Sequence, residues 1–182
     1  MKLLKIQISA LLLISACLIL PHQARAQWKF GASYQIRNKS PKKGFGFRLQ
    51  RRILKVIPVV DLGLRAHFSY FNATNNISKS GVSVSRKLTF YDYGVDAVGG
   101  IPLGLLEPYV GMGIGANKYT IKHENSGSRF FWNSFVGTSL TLIPVLHPFI
   151  EYRFIPTKSP RFARNYNIDS HGRLILGLTL SF

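Results

Sequence analysis

Arg173-Leu174-Ile175-Leu176-Gly177-Leu178-Thr179-Leu180-Ser181-Phe182, the last ten residues, shows the plainest pattern in the sequence. Leu174, Leu176, Leu178, Leu180 and Phe182 fall on one side of a two-residue period, and Arg173, Ile175, Gly177, Thr179 and Ser181 fall on the other. Period two marks a strand whose faces meet different surroundings. Working upstream, the same alternation returns at 150–154, 132–142, 109–117, 91–97, 61–70, 45–50 and 28–37. No window carries the i, i+3, i+4, i+7 spacing of an amphipathic helix. The count is eight strands of roughly ten residues, the length a tilted membrane-crossing strand requires.

The connections alternate as well. Those after strands two, four and six are apolar and contain Ile57-Pro58, Ile101-Pro102 and Ile143-Pro144. Proline lacks the N–H that a ladder needs, so it marks where pairing stops. Those after strands one, three, five and seven, read at 38–43, 73–86, 123–128 and 156–170, are polar, and two of them are long. Short turns at one end and longer loops at the other are the pattern of a membrane barrel with both termini on the short-turn side.

The first 26 residues have a different character. Met1-Lys2-Leu3-Leu4-Lys5 is basic, 6–20 is mostly apolar, and Ala24-Arg25-Ala26 supplies small residues two apart. This is the layout of a secretory signal, and the apolar run of about 15 residues is short for a spanning helix. Ile14-Ser15-Ala16-Cys17 offers a lipoprotein-type cleavage box as the alternative. Cleavage after Ala26 leaves a domain at 27–182 and takes the net charge from +17 to +14 by removing Lys2, Lys5 and Arg25. It also removes Cys17, the single cysteine of the chain, so neither a disulfide nor a cysteine-based zinc site is expected.

The 24 Lys and Arg against 7 Asp and Glu raise the question of a polyanionic partner. An exported chain argues against nucleic acid, and Arg51-Arg52 with Lys55 reads as a flank of a periplasmic turn. On the strands, the polar face carries Lys29, Arg48, Asp61, Arg65, Asp92, Asp96, Glu151, Arg153 and Arg173, together with Gly111, Gly113, Gly115 and Gly137. Mixed charges with glycine suit a crowded lumen, where opposite charges neutralise one another. The loops concentrate Lys39, Lys42, Lys43, Lys79, Arg86, Lys87, Arg129, Lys158, Arg161 and Arg164, a basic rim facing only Glu124 and Asp169. A soluble periplasmic barrel of the lipocalin type, with the apolar face turned inward, shows the same alternation and stands as the alternative. The glycines, the mixed charges, and aromatics such as Trp28, Tyr34, Tyr70, Tyr91, Trp132 and Tyr152 on the apolar face favour the membrane version.

From residue 27 to 182 the chain resembles the small outer-membrane β-barrel proteins of Gram-negative bacteria. The resemblance is sharpest at Leu174, Leu176, Leu178, Leu180 and Phe182, and continues in the Tyr-Asp-Tyr-Gly and Gly-Met-Gly-Ile-Gly of 91–119. It implies an all-β, eight-stranded, antiparallel up-and-down transmembrane barrel, monomeric and without cofactors. It also implies that the terminal alternation is the signal read by the barrel-assembly machinery. Activity does not follow from the fold. Eight strands enclose a lumen just filled by side chains, so the expected role is structural or surface-interactive, with the rim engaging lipopolysaccharide phosphates or other anions. Two further roles are weighed. One is a narrow gated pore for small solutes. The other is a lipid A acyltransferase or deacylase, for which His67-Phe68-Ser69 and Asp169-Ser170-His171 supply the residue types.

Overall fold

A computed structural model describes residues 28–57, 60–79, 82–121, 126–141, 143–156 and 172–182. The eight alternating segments form eight strands: β1 (Trp28–Arg37), β2 (Lys43–Ile57), β3 (Val60–Lys79), β4 (Val82–Gly100), β5 (Leu106–Ile121), β6 (Ser126–Leu140), β7 (Leu146–Phe154) and β8 (Gly172–Ser181). Each pairs antiparallel with its sequence neighbours, and β1 pairs with β8, so the sheet closes and has no edge within the wall. Closure is completed by Trp28 and Phe182, whose backbone groups exchange hydrogen bonds of 3.1 and 3.0 Å.

The register fixes the shape of the barrel. Partners followed from Trp28 run through Arg51, Leu64, Ala97, Met112, Ser134 and Phe154 to Gly172. Gly172 lies one step beyond the Arg37–Arg173 pair, opposite position 38, so one circuit climbs ten residues along β1. With eight strands this stagger requires a tilt of roughly 40° and leaves an interior that side chains fill. Ten residues at about 3.3 Å each, tilted by that angle, reach about 25 Å along the axis, the height of a lipid-facing band.

The two faces separate as the alternation requires. Phe45, Met112 and Ile114 are 63%, 65% and 70% exposed on the outer wall, whereas Asp92 and Glu151 on the inner wall are 0% and 1% exposed. A continuous outward belt of Phe, Leu, Val, Ile and Tyr has no stable interface with water and demands lipid. This excludes the soluble alternative, whose apolar face would turn inward.

The third connection differs from its sequence reading. Residues 73–86, read as a loop, are mostly paired strand: β3 and β4 continue in register from Asn72↔Thr89 to Lys79↔Val82. β2 leaves β3 at Phe71, and β5 leaves β4 at Leu88, so the remainder stands beyond the barrel as a two-stranded ribbon. Backbone pairing needs no apolar face, and the β-branched Thr74, Ile77, Val82 and Val84 favour it, whereas a polarity reading sees only a hydrophilic stretch. In the same way Lys43 begins β2, and 126–128 belong to β6. The strands therefore run from 9 to 20 residues and are not uniformly near ten.

Candidate functional site

Within the barrel, inward side chains from all eight strands join the central charges into one connected chain. Its centre is Glu151 on β7. Glu151 Oε2 accepts from Arg65 Nη1 at 2.6 Å, Tyr109 Oη at 3.1 Å and Arg48 Nη1 at 3.4 Å. Its Oε1 accepts from Arg153 Nε and Nη2 at 3.0 and 2.9 Å. Arg153 Nη2 also lies 3.1 Å from Asp96 Oδ2, which links β7 to β4. Asp96 is further held by His67 Nδ1 at 2.9 Å and by Asn133 Nδ2 at 3.0 Å. Across the His67 ring, Nε2 faces Asp92 Oδ1 at 3.9 Å. Asp92 Oδ2 accepts from Arg173 Nη2 at 2.6 Å, and Arg173 Nη1 donates to Gln35 and Ser69.

Toward the short-turn end two separate pairs close the lumen. Lys29 Nζ donates to Glu107 at 2.7 Å, and Arg52 Nη2 lies 3.0 Å from Asp61. Of the expected lumenal charges, Arg48, Arg65, Asp92, Asp96, Glu151, Arg153 and Arg173 meet in the chain, and Lys29 and Asp61 stand in the separate pairs; the structure adds His67, Gln35 and Tyr109 to the first and Glu107 and Arg52 to the second. Glu107 is hard to read in the sequence because Pro108 and the neighbouring leucines hide its parity.

Among the described residues, four buried arginines, Arg37, Arg65, Arg153 and Arg173, and the half-buried Arg48 gather around Asp92, Asp96 and Glu151. Aromatic rings inside the lumen face the same cations. Arg48 lies 3.3 Å over Phe149, Arg65 4.8 Å and Arg153 4.6 Å over Phe135, and Arg37 4.4 Å over Phe90. Ring faces carry negative potential, and a desolvated cation above one is well stabilised. The glycines make room for these rings. Gly44, Gly111, Gly115, Gly137 and Gly177 stand directly opposite Phe71, Phe135, Phe131, Tyr109 and Phe149. A Cβ at any of them would collide with that partner's ring.

Among the described residues the lumen holds two small cavities of about 20 Å³ each. One is bordered by Lys29, Arg48, Asp61 and Glu107, and the other by Gln35, His67, Ser69 and Arg153. Each holds about one water. Among the described residues no group of His, Cys, Asp and Glu is arranged to hold a metal.

No family model matches the sequence, and no curated protein matches it. Solved structures do match. Neisserial surface protein A aligns over 85% of this chain and 96% of its own, at 16% identity and a TM-score of 0.56. Ail, the attachment invasion locus protein of Yersinia pestis, aligns over the same shares at 16% identity and a TM-score of 0.55. The N-terminal barrel domain of Pseudomonas aeruginosa OprF does so at 14% identity and 0.54. The fold is that of a small outer-membrane β-barrel.

In an outer-membrane barrel the loop end is the second region of interest. Lys42 and Lys43 are exposed there, as is Arg129 on β6, and Lys39 is half-buried. The backbones of Lys79, Arg86 and Lys87 lie in the projecting ribbon. Lys158, Arg161 and Arg164 lie outside the described residues, as does Asp169-Ser170-His171. Sequence reasoning passed over Lys118, which is exposed beside Tyr91 on the outward face of β5. Its parity with Met112 and Ile114 was the available signal. The His67 and Ser69 of the acyltransferase reading are both buried in the lumen. Ser69 Oγ accepts from Gln35 Nε2 at 3.1 Å, so this pair is closed to lipid.

Proposed function

We propose that the protein is exported through its 1–26 segment, inserts in the outer membrane as a plugged monomeric barrel, and acts through its basic loop end on anionic surface chemistry, above all lipopolysaccharide phosphates. One observation carries this reading. The lumen is sealed by its own ion pairs, while Lys42, Lys43 and Lys118 point away from it and make no ion pair among the described residues. Lysines at a membrane interface without carboxylate partners favour phosphate. The Yersinia pestis protein that shares the fold is an attachment invasion locus protein, so surface contact is a role this architecture supports. A catalytic role on lipid gains no support from His67 and Ser69, which face inward. The Leu174–Phe182 alternation serves recognition by the barrel-assembly machinery, since Phe182 lies exposed where β8 meets β1.

Membrane fractionation combined with heat-modifiability on a gel tests the location; a soluble product refutes it. Binding of purified barrel to lipopolysaccharide over a salt series tests the role. Affinity should fall with added salt, and Lys42→Gln with Lys43→Gln and Lys118→Gln should flatten that dependence. Binding that ignores both salt and these substitutions refutes the assignment.

A further inference from the structure

Toward the short-turn end the outer wall carries an exposed cation, Arg51, where lipid is expected. Arg51 on β2 shares outward parity with Phe45, Phe47 and Leu49 and is exposed. Its guanidinium lies 5.2 Å from the Trp28 ring, and no carboxylate pairs with it among the described residues. Neighbouring Arg52 is inward and neutralised by Asp61. Leu49 precedes Arg51, and Ile53 and Leu54, both exposed, follow it, so this charge is embedded in apolar surface.

A groove begins at that charge. β2 is irregular between Arg52 and Leu54, which lifts its end from strict register with β3. Two outward cavities result, of about 790 and 670 Å³, and they share Ile53, Leu54 and Leu64. The first includes Trp28 and Arg51; the second continues past Ala97 and Gly99 to Met112 and Ser134. Ala97, Gly99 and Ser134 keep the floor low between the larger Leu62, Leu64 and Met112, because Leu64, Ala97, Met112 and Ser134 are consecutive cross-strand partners and Gly99 pairs with Leu62. The groove lies toward the end that holds both termini and the short turns.

We propose that this is a binding site for one anionic glycerophospholipid of the inner leaflet. The phosphate meets Arg51 beside Trp28, and one acyl chain lies in the groove over Ala97. One unneutralised positive charge matches a lipid of one net negative charge, whereas a zwitterionic headgroup brings its own ammonium. Arginine presents two parallel N–H donors to phosphate, and tryptophan settles at the headgroup level. The site rests on the membrane reading above but is independent of the basic loop end.

The chain has two tryptophans, so Trp132→Phe leaves Trp28 as the reporter beside the site. This variant is reconstituted in phosphatidylcholine vesicles doped with brominated phosphatidylglycerol, and Trp28 quenching is compared with brominated phosphatidylcholine at the same fraction. The expected result is about five-fold enrichment of the anionic lipid, the gain one interfacial cation confers. Arg51→Gln should abolish the enrichment and Arg51→Lys retain part of it, with heat-modifiability showing that each variant is a folded barrel. Ala97→Leu fills the groove and should reduce enrichment with Arg51 intact. Equal quenching by the two lipids overturns the proposal, and so does enrichment that survives Arg51→Gln. Enrichment unchanged in Ala97→Leu overturns the groove. Loss of enrichment on adding inorganic phosphate, where sodium chloride of the same ionic strength leaves it intact, marks a free-phosphate site and overturns the lipid assignment. No quenching when all the phosphatidylcholine is brominated overturns the membrane reading itself, and this proposal with it.

Discussion

Replacing Glu151 by glutamine is the most demanding test of the sealed lumen. The substitution preserves shape and removes one charge. It leaves Arg65, Arg153 and Arg48, whose side chains are only 1%, 4% and 10% exposed, around a neutral amide. The amide nitrogen adds donors where four side chains already donate, so at least one guanidinium contact becomes repulsive. Breaking a buried ion pair from one side costs about 3–5 kcal/mol, because the remaining charge stays desolvated. At a urea dependence of about 2 kcal/mol per molar, the unfolding midpoint should fall by roughly 2 M. The assay is urea unfolding of the barrel in phospholipid vesicles, followed by tryptophan fluorescence. Glu107→Gln is the internal comparison. Its partner Lys29 and Glu107 itself retain 15% and 12% exposure against 1% for both Arg65 and Glu151, and only one charged partner is left behind, so the loss should be smaller, about 2 kcal/mol. Adding Arg65→Met to Glu151→Gln should recover part of the loss, since the two groups interact directly. A midpoint for Glu151→Gln within about 0.3 M of the unsubstituted protein, below ~1 kcal/mol on the same urea scale, would refute the view that this node holds the lumen together.

Other outcomes follow from the same geometry. Asp92→Asn with Asp96→Asn should lower stability without producing single-channel currents, because the arginines and rings still fill the lumen; large currents from the unsubstituted barrel would reject the plug. Gly113→Ala would set a methyl against the Asp96 carboxylate and the Val95 carbonyl, and overpacking of this kind should cost about 1–3 kcal/mol by the same urea assay. Phe182→Ser should reduce assembled barrel in cells while leaving the refolded protein within about 1 kcal/mol of normal, since this side chain lies on the exposed outer face. If pulse-labelled cells assemble the variant at the normal rate, the terminal residue is not an assembly signal.

The strand faces were legible because alternation is a local property. Lys29 to Arg37 alternates whatever its neighbours are, and a closed sheet preserves that parity. Asp92 and Asp96 could be assigned inward for the same reason. The projecting ribbon at 73–79 and 82–87 was not legible, because its one alternating stretch, Val82 to Ser85, is only four residues long and the 73–79 arm is mostly polar in sequence. Lys118 and Arg51 were missed as outward cations, although each follows the parity of its strand. Attention to basic residues as loop or turn markers concealed that they face lipid.

Eight strands, their parity, the short-turn end and the sign of each face could all be read from local order, since each depends on neighbours one or two residues apart. Which charges meet could not. Glu151 and Arg65 are 86 residues apart, and Arg173 and Asp92 are 81 apart. Their pairing depends on the ten-residue climb around the barrel, a quantity that no single strand contains. The placement of each aromatic ring over a cross-strand glycine depends on that register too. A shift of one residue would reverse the faces of a strand, so closure and parity together leave few alternatives and the lumen selects among them.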